Sequence, residues 1–119
     1  QWGFQLSFHL YNDNHRVLPE ELEVALYRVT HEVLMNAAQH ARAENVEVIA
    51  RYYDDSVTVM IQDDGIGFDA EAVLDGPVEG RFGMFAMEER LRMVNGSVSV
   101  DSLPDEGAVV FVDVPLPPA

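Results

Sequence analysis

Apolar and polar positions roughly alternate along FQLSFHLY (residues 4–11), the two-residue period of a strand with one buried face. Asn12 to His15 reads as a turn. The period then changes. Leu22, Leu26, Val29 and Val33 recur at helical spacing, which predicts a helix from about Pro19 to Arg42. Pro19 stands where a first helical residue belongs, and Glu20, Glu21 and Glu23 complement the positive end of the helix dipole. Asn45 ends the connection that follows. VEVIARYY (46–53) and VTVMIQ (57–62) return to strand character around Asp54-Asp55-Ser56, and predict a hairpin. Residues 69–82 are acidic and without a clean period, so they read as a loop with a short helix around 69–74. Gly83 opens a second helix, about Met84 to Val94, which Asn95-Gly96 closes in the left-handed cap position. Two last strands, 97–102 and 108–114, flank Leu103 to Gly107. This order predicts an α+β fold in a single domain over residues 1–119, a two-layer sandwich with helices packed on one face of a mixed sheet.

Charge narrows the chemistry. The chain has 119 residues with 21 acidic and 7 basic side chains, a formal net charge of −14. All the basic side chains are Arg. Such a charge argues against a nucleic-acid surface and against docking on anionic membranes. The missing Lys excludes the P-loop lysine, the protein-kinase strand lysine and Schiff-base catalysis. With no Cys, disulfides, thiolate zinc sites and Cys nucleophiles are excluded as well. No apolar run approaches the ~18 residues of a membrane span. The chain starts at Gln1, which suggests a fragment of a longer protein.

Three groups of residues carry candidate chemistry. Glu32, Asn36 and His40 are spaced four apart and form a slanting stripe that slides onto the apolar face of the first helix. They read either as a solvated Glu, a helix-edge Asn and a satisfied core His, or as a row of ligands facing a polar molecule and its metal. Asp63 ends a strand just before Asp64-Gly65-Ile66-Gly67. This is either an ordinary Asp-Gly turn or a carboxylate placed to accept from a ligand's amino group, with glycines that admit the ligand to the backbone. Gly80-Arg81-Phe82-Gly83 leads into a helix and is either a flexible loop or a cradle of free N–H groups suited to phosphate. In this order the three would serve magnesium, base and phosphate of a nucleotide, and a chain of charge −14 needs a divalent ion to hold a triphosphate.

The succession resembles the histidine-kinase-like ATPase superfamily, the GHKL or Bergerat ATPases. LYRVTHEVLMNAAQHA (26–41) is similar to that family's N box, DDGIGF (63–68) to its G1 box, and GRFGMFAMEERLRMVNG (80–96) to its G2 box and following helix. DEGAVVFVDVPLP (105–117) resembles its last hairpin. Leu26-Tyr27-Arg28 and Met87, Glu89, Arg90 are similar to the branch of sensor histidine kinases that partner NarL-type regulators. The resemblance implies the Bergerat fold, ATP and Mg2+ as ligands, and phosphoryl transfer to a His on a separate dimerisation domain, with a response regulator downstream. It implies that Asn36 ligates magnesium, that Glu32 sits beside the metal and assists catalysis, and that His40 lines the phosphate side. Asp63 would read the adenine amino group. Gly65 and Gly67 would let the chain pass near the base. Gly80, Gly83 and Met84 would belong to the nucleotide site at the hinge of a lid over residues 69–82. A cytoplasmic location is implied, as a soluble protein or as the inner part of a membrane-anchored sensor, and the isolated domain is expected to be monomeric.

Three positions depart from the family pattern. Gln39 stands where this branch often has Lys, Arg81 where related kinases often carry His, and Ala108 where a Thr usually supports the adenine site. Two rival readings stand beside the sensor kinase: an anti-sigma-factor serine kinase on the same fold, and, motivated by Gln39 and Ala108, an interaction-only domain that no longer binds ATP.

Overall fold

A computed structural model describes residues 3–13, 15–38, 43–65, 84–102 and 107–116. In chain order the elements are β1 (Gln5–Tyr11), α1 (Glu20–Asn36), β2 (Asn45–Tyr52), β3 (Ser56–Asp63), α2 (Met84–Arg92), β4 (Ser97–Ser102) and β5 (Ala108–Pro115). The strands form one sheet in the order β1-β2-β3-β5-β4. β1 pairs parallel with β2, and every other neighbour is antiparallel. The expected mixed sheet is therefore observed.

Register explains the core. Val48 lies opposite Ile61, and Ile61 opposite Val110. Ala50, Val59 and Val112 make the next row, and Val57 faces Val114. All these side chains are buried, in one cluster with Leu22, Leu26, Val29 and Val33 of α1 and Met87 and Leu91 of α2. Both helices thus cover the same face. Burying a Val or Leu side chain is worth roughly 1.5–3 kcal/mol, so this row fixes the strand register: a one-residue slip would turn every Val outward. Leu6, Phe8 and Leu10 share that face, opposite Val46, Val48 and Ala50, yet they are 42%, 61% and 56% exposed. Helix cover ends over β2 and leaves edge strand β1 open.

The ends of α1 differ from the sequence reading. Pro19 is the cap, with φ −55 and ψ 146, rather than the first helical residue. Its carbonyl accepts from the N–H groups of Leu22 and Glu23, and no side chain caps the helix. The three acids of the first turn complement the positive end of the helix dipole. The α-helix proper runs to Asn36, and residues 37 and 38 carry the helical path on as a π turn, as expected; residues 39–42 lie outside the described residues. The end of α2 matches expectation more closely. Asn95, at φ 62, takes the left-handed position, and Gly96 N–H reaches the Leu91 carbonyl at 2.7 Å. Asn95 rather than Gly96 supplies the positive φ. Gly96 answers a packing need, because a Cβ there would lie 2.9 Å from a Val114 methyl. The expected 69–82 loop, with its short helix, lies outside the described residues.

Candidate functional site

One end of the sheet gathers the polar residues. The last residue of β3, Asp63, pairs with Ala108, the first residue of β5. Its carboxylate Oδ1 accepts the Gly65 N–H at 2.9 Å, which closes a local Asx turn. Desolvation by half-burial raises the Asp63 pKa above its ordinary value; hydrogen bonds from the Gly65 and Ala108 backbones lower it, and the Asp64 charge raises it. The side chain is a fixed hydrogen-bond acceptor in partly apolar surroundings, where an acceptor discriminates most strongly between partners.

Gly107 explains how β5 comes so close. Its φ is +78, and a Cβ there would fall 2.4 Å from the Asp63 carbonyl oxygen. Only glycine allows this approach.

Asp64 faces away from the core and is exposed. Its Oδ1 accepts both the Glu44 N–H and the Asn45 N–H, each at 2.9 Å, and its Oδ2 accepts the Asn45 side-chain amide at 2.9 Å. These bonds from Asn45 and Glu44 lower the Asp64 pKa below its ordinary value. Asp64 N–H in turn donates to the Asn45 carbonyl, and Gln5 N–H donates to the Glu44 carbonyl. The connection after α1 is therefore laced to β1 and to the end of β3.

Glu32 is half-buried on α1. It lines a groove of about 660 Å³ between the two helices, with Arg28, His31, Met87 and Arg90 among its neighbours. Asn36 is the last residue of α1, one turn beyond Glu32; its backbone is described and its side chain is not. Met84 is placed as the first residue of α2, again without its side chain. His40, Gly67, Gly80 and Gly83 lie outside the described residues. The structure thus brings Asp63 together with Gly65, Gly107 and Ala108, and sets Glu32 against α2. Sequence reasoning missed Asp64, Asn45 and the packing role of Gly107. Partners 19 and 20 residues away leave no local pattern. Gly107 precedes Ala108, which pairs with the strand-terminal Asp63, and no local pattern announces that.

The family model described as histidine kinase-, DNA gyrase B-, and HSP90-like ATPase matches residues 21–118. The histidine-protein kinase/phosphatase DegS of Brevibacillus brevis is 35% identical over 98 residues, 82% of this chain and 24% of the relative. The oxygen sensor histidine kinase NreB of Staphylococcus carnosus is 32% identical over 115 residues, 97% of this chain and 32% of the relative. The chain thus spans about a quarter to a third of the length of these curated relatives. Among solved structures, the blue-light activated histidine kinase of Erythrobacter litoralis superposes with a TM-score of 0.76 at 21% identity, over 98% of this chain and 36% of that one, which establishes a shared fold. The family model covers most of the chain: the chain belongs to the histidine kinase-, DNA gyrase B- and HSP90-like ATPase family, as an ATP-binding catalytic domain of the histidine kinase type.

Proposed function

We propose that this domain binds ATP across the Asp63 end of the sheet and delivers the γ-phosphate to a His on the dimerisation domain of its own sensor kinase. The observation that carries the reading is the Asp63 carboxylate, held as an acceptor by two backbone N–H groups where the chain comes close through Gly107. A carboxylate so held suits the amino group of adenine and opposes the carbonyl of guanine. Gly65 and Gly67 admit the base to the backbone. Gly80, Gly83 and Met84 serve the phosphates, with His40 on the same side.

The donor chemistry of α1 fits a hard cation. Glu32 and Asn36 are oxygen-bearing residues one helical turn apart. Asn36 would hold the magnesium ion, with Glu32 beside it or its water; the chemistry supplied there is neutralisation of phosphate charge. The residues of this chain otherwise bind and orient: Asp63 fixes the base, the glycine-flanked segment fixes the phosphates, and Glu32 assists alignment of the transfer. The acceptor His belongs to the helical domain, and the phosphoryl group then passes to a response regulator. Among the described residues no helix is long and apolar enough to cross a membrane. We place the domain in the cytoplasm; separated from its dimerisation domain it would be monomeric.

The test is phosphoryl transfer from labelled ATP to the helical domain of the same kinase. Asn36→Ala is expected to abolish labelling while its circular dichroism and melting stay at wild type. Undiminished labelling in that variant would remove the metal role from Asn36.

A further inference from the structure

We propose that Asp64 is a positioning residue for nucleotide recognition: it locks the connection after α1 onto the end of β3 and so holds Asp63 in its base-reading orientation. This rests on the reading of Asp63 given above. Three features argue for it. First, Asp64 spends its whole carboxylate on residues 19 and 20 positions earlier, the N–H groups of Glu44 and Asn45 and the Asn45 amide. Second, the bonds bridge two functional segments. Glu44 and Asn45 follow the helix that carries Glu32 and Asn36, and Asp64 adjoins Asp63. One carboxylate thus ties the connection that follows the metal-side helix to the base-side turn. Third, the Asp63 side chain accepts from Gly65, the residue just beyond Asp64. Rotation of Asp64 would carry the Gly65 N–H away from Asp63 Oδ1 and release it.

Because Asp64 is exposed, removing its carboxylate leaves N–H groups that water can satisfy, so the fold should survive while alignment relaxes. Asp64→Ala and Asp64→Asn separate these effects. Asn keeps an Oδ1 for the two backbone donors, and Asn45 can turn its amide to meet the new NH2.

The experiment titrates the purified domain with a non-hydrolysable ATP analogue and with the matching GTP analogue, for wild type, Asp63→Asn, Asp64→Ala and Asp64→Asn. Asp64→Ala is expected to bind the ATP analogue about 3- to 10-fold more weakly, the scale of one misdirected hydrogen bond, and to lose ATP-over-GTP preference by a similar factor. Asp64→Asn should restore most of both. Amide exchange in the unliganded Asp64→Ala domain should speed up at Glu44, Asn45 and Gly65. Wild-type affinity and preference in Asp64→Ala would overturn the proposal, as would a drop in melting temperature with selectivity intact. If Asp64→Ala fails to fold, Asn45→Ala, which removes only the side-chain bond, must shift the preference in the same direction, and no shift overturns the proposal. Failure of the wild type itself to bind ATP would instead refute the reading of Asp63.

Discussion

Gly107→Ala is the substitution whose effect follows most directly from the geometry. Two costs combine. The backbone there is at φ +78, which disfavours an L side chain by about 1–2 kcal/mol. The new methyl would also fall 2.4 Å from the Asp63 carbonyl oxygen, inside the 3.0 Å below which such contacts essentially never occur. The neighbour is backbone of a paired strand and cannot swing aside, so β5 and β3 must part by about half an ångström or more. Overpacking of that kind costs about 1–3 kcal/mol. The sum is roughly 2–5 kcal/mol, which for a domain of this size lowers the melting temperature by roughly 10–20 °C. Gly3→Ala is the internal control. Its φ is +84, but nothing lies within 4 Å, so only the conformational cost applies. Thermal unfolding by circular dichroism reads both. Nucleotide titration adds a second readout: Gly107→Ala disturbs the residue that reads the base and should weaken binding, whereas Gly3→Ala should not. A Gly107→Ala melting point as close to wild type as that of Gly3→Ala would refute the close approach on which the site description rests.

Three further outcomes are expected. Leu91→Ala removes a side chain that is 0% exposed beneath α2 and should cost about 2–5 kcal/mol, read as a lower denaturant midpoint with unchanged slope. The Asp64 carboxyl is held below its ordinary pKa of 3.8, so its contribution to stability is present above that pH and is lost as pH falls below it; the melting-temperature gap between wild type and Asp64→Ala should close on acidification below pH 3.8. The Asp63 carboxyl is raised above 3.8 by burial, so its protonation begins at a higher pH than that of a free Asp. Affinity for the ATP analogue should therefore fall on acidification while the pH is still above 3.8, and Asp63→Asn should lack that transition.

The sequence was most informative where physics is local. The alternation of VEVIARYY and VTVMIQ gave the hairpin and its buried face, because a period of two admits one choice of inward side chains. The Asn95-Gly96 stop was readable because few residues tolerate a left-handed turn. The two hairpins were readable, but the pairings of β1 with β2 and of β3 with β5 were not. Leu6, Phe8 and Leu10 alternate like core residues, and nothing in their pattern told that α1 stops short of them. Pro19 was placed one position too far in, since φ near −60 suits both the cap and the first helical residue, and only ψ separates them. At the site, Asp63 and Gly65 stood out as a strand-terminal motif, while Asp64 looked like its spare neighbour. Its significance lies wholly in Glu44 and Asn45, which the sequence sets far away and the fold sets adjacent.

The proposed site rests on a nucleotide held at its base by Asp63. Calorimetric titration with a non-hydrolysable ATP analogue, with and without magnesium, on wild type and Asp63→Asn tests it most directly. The expected result is saturable binding that magnesium strengthens and Asp63→Asn weakens. Absence of binding by the wild type, or equal binding by both proteins, would contradict it.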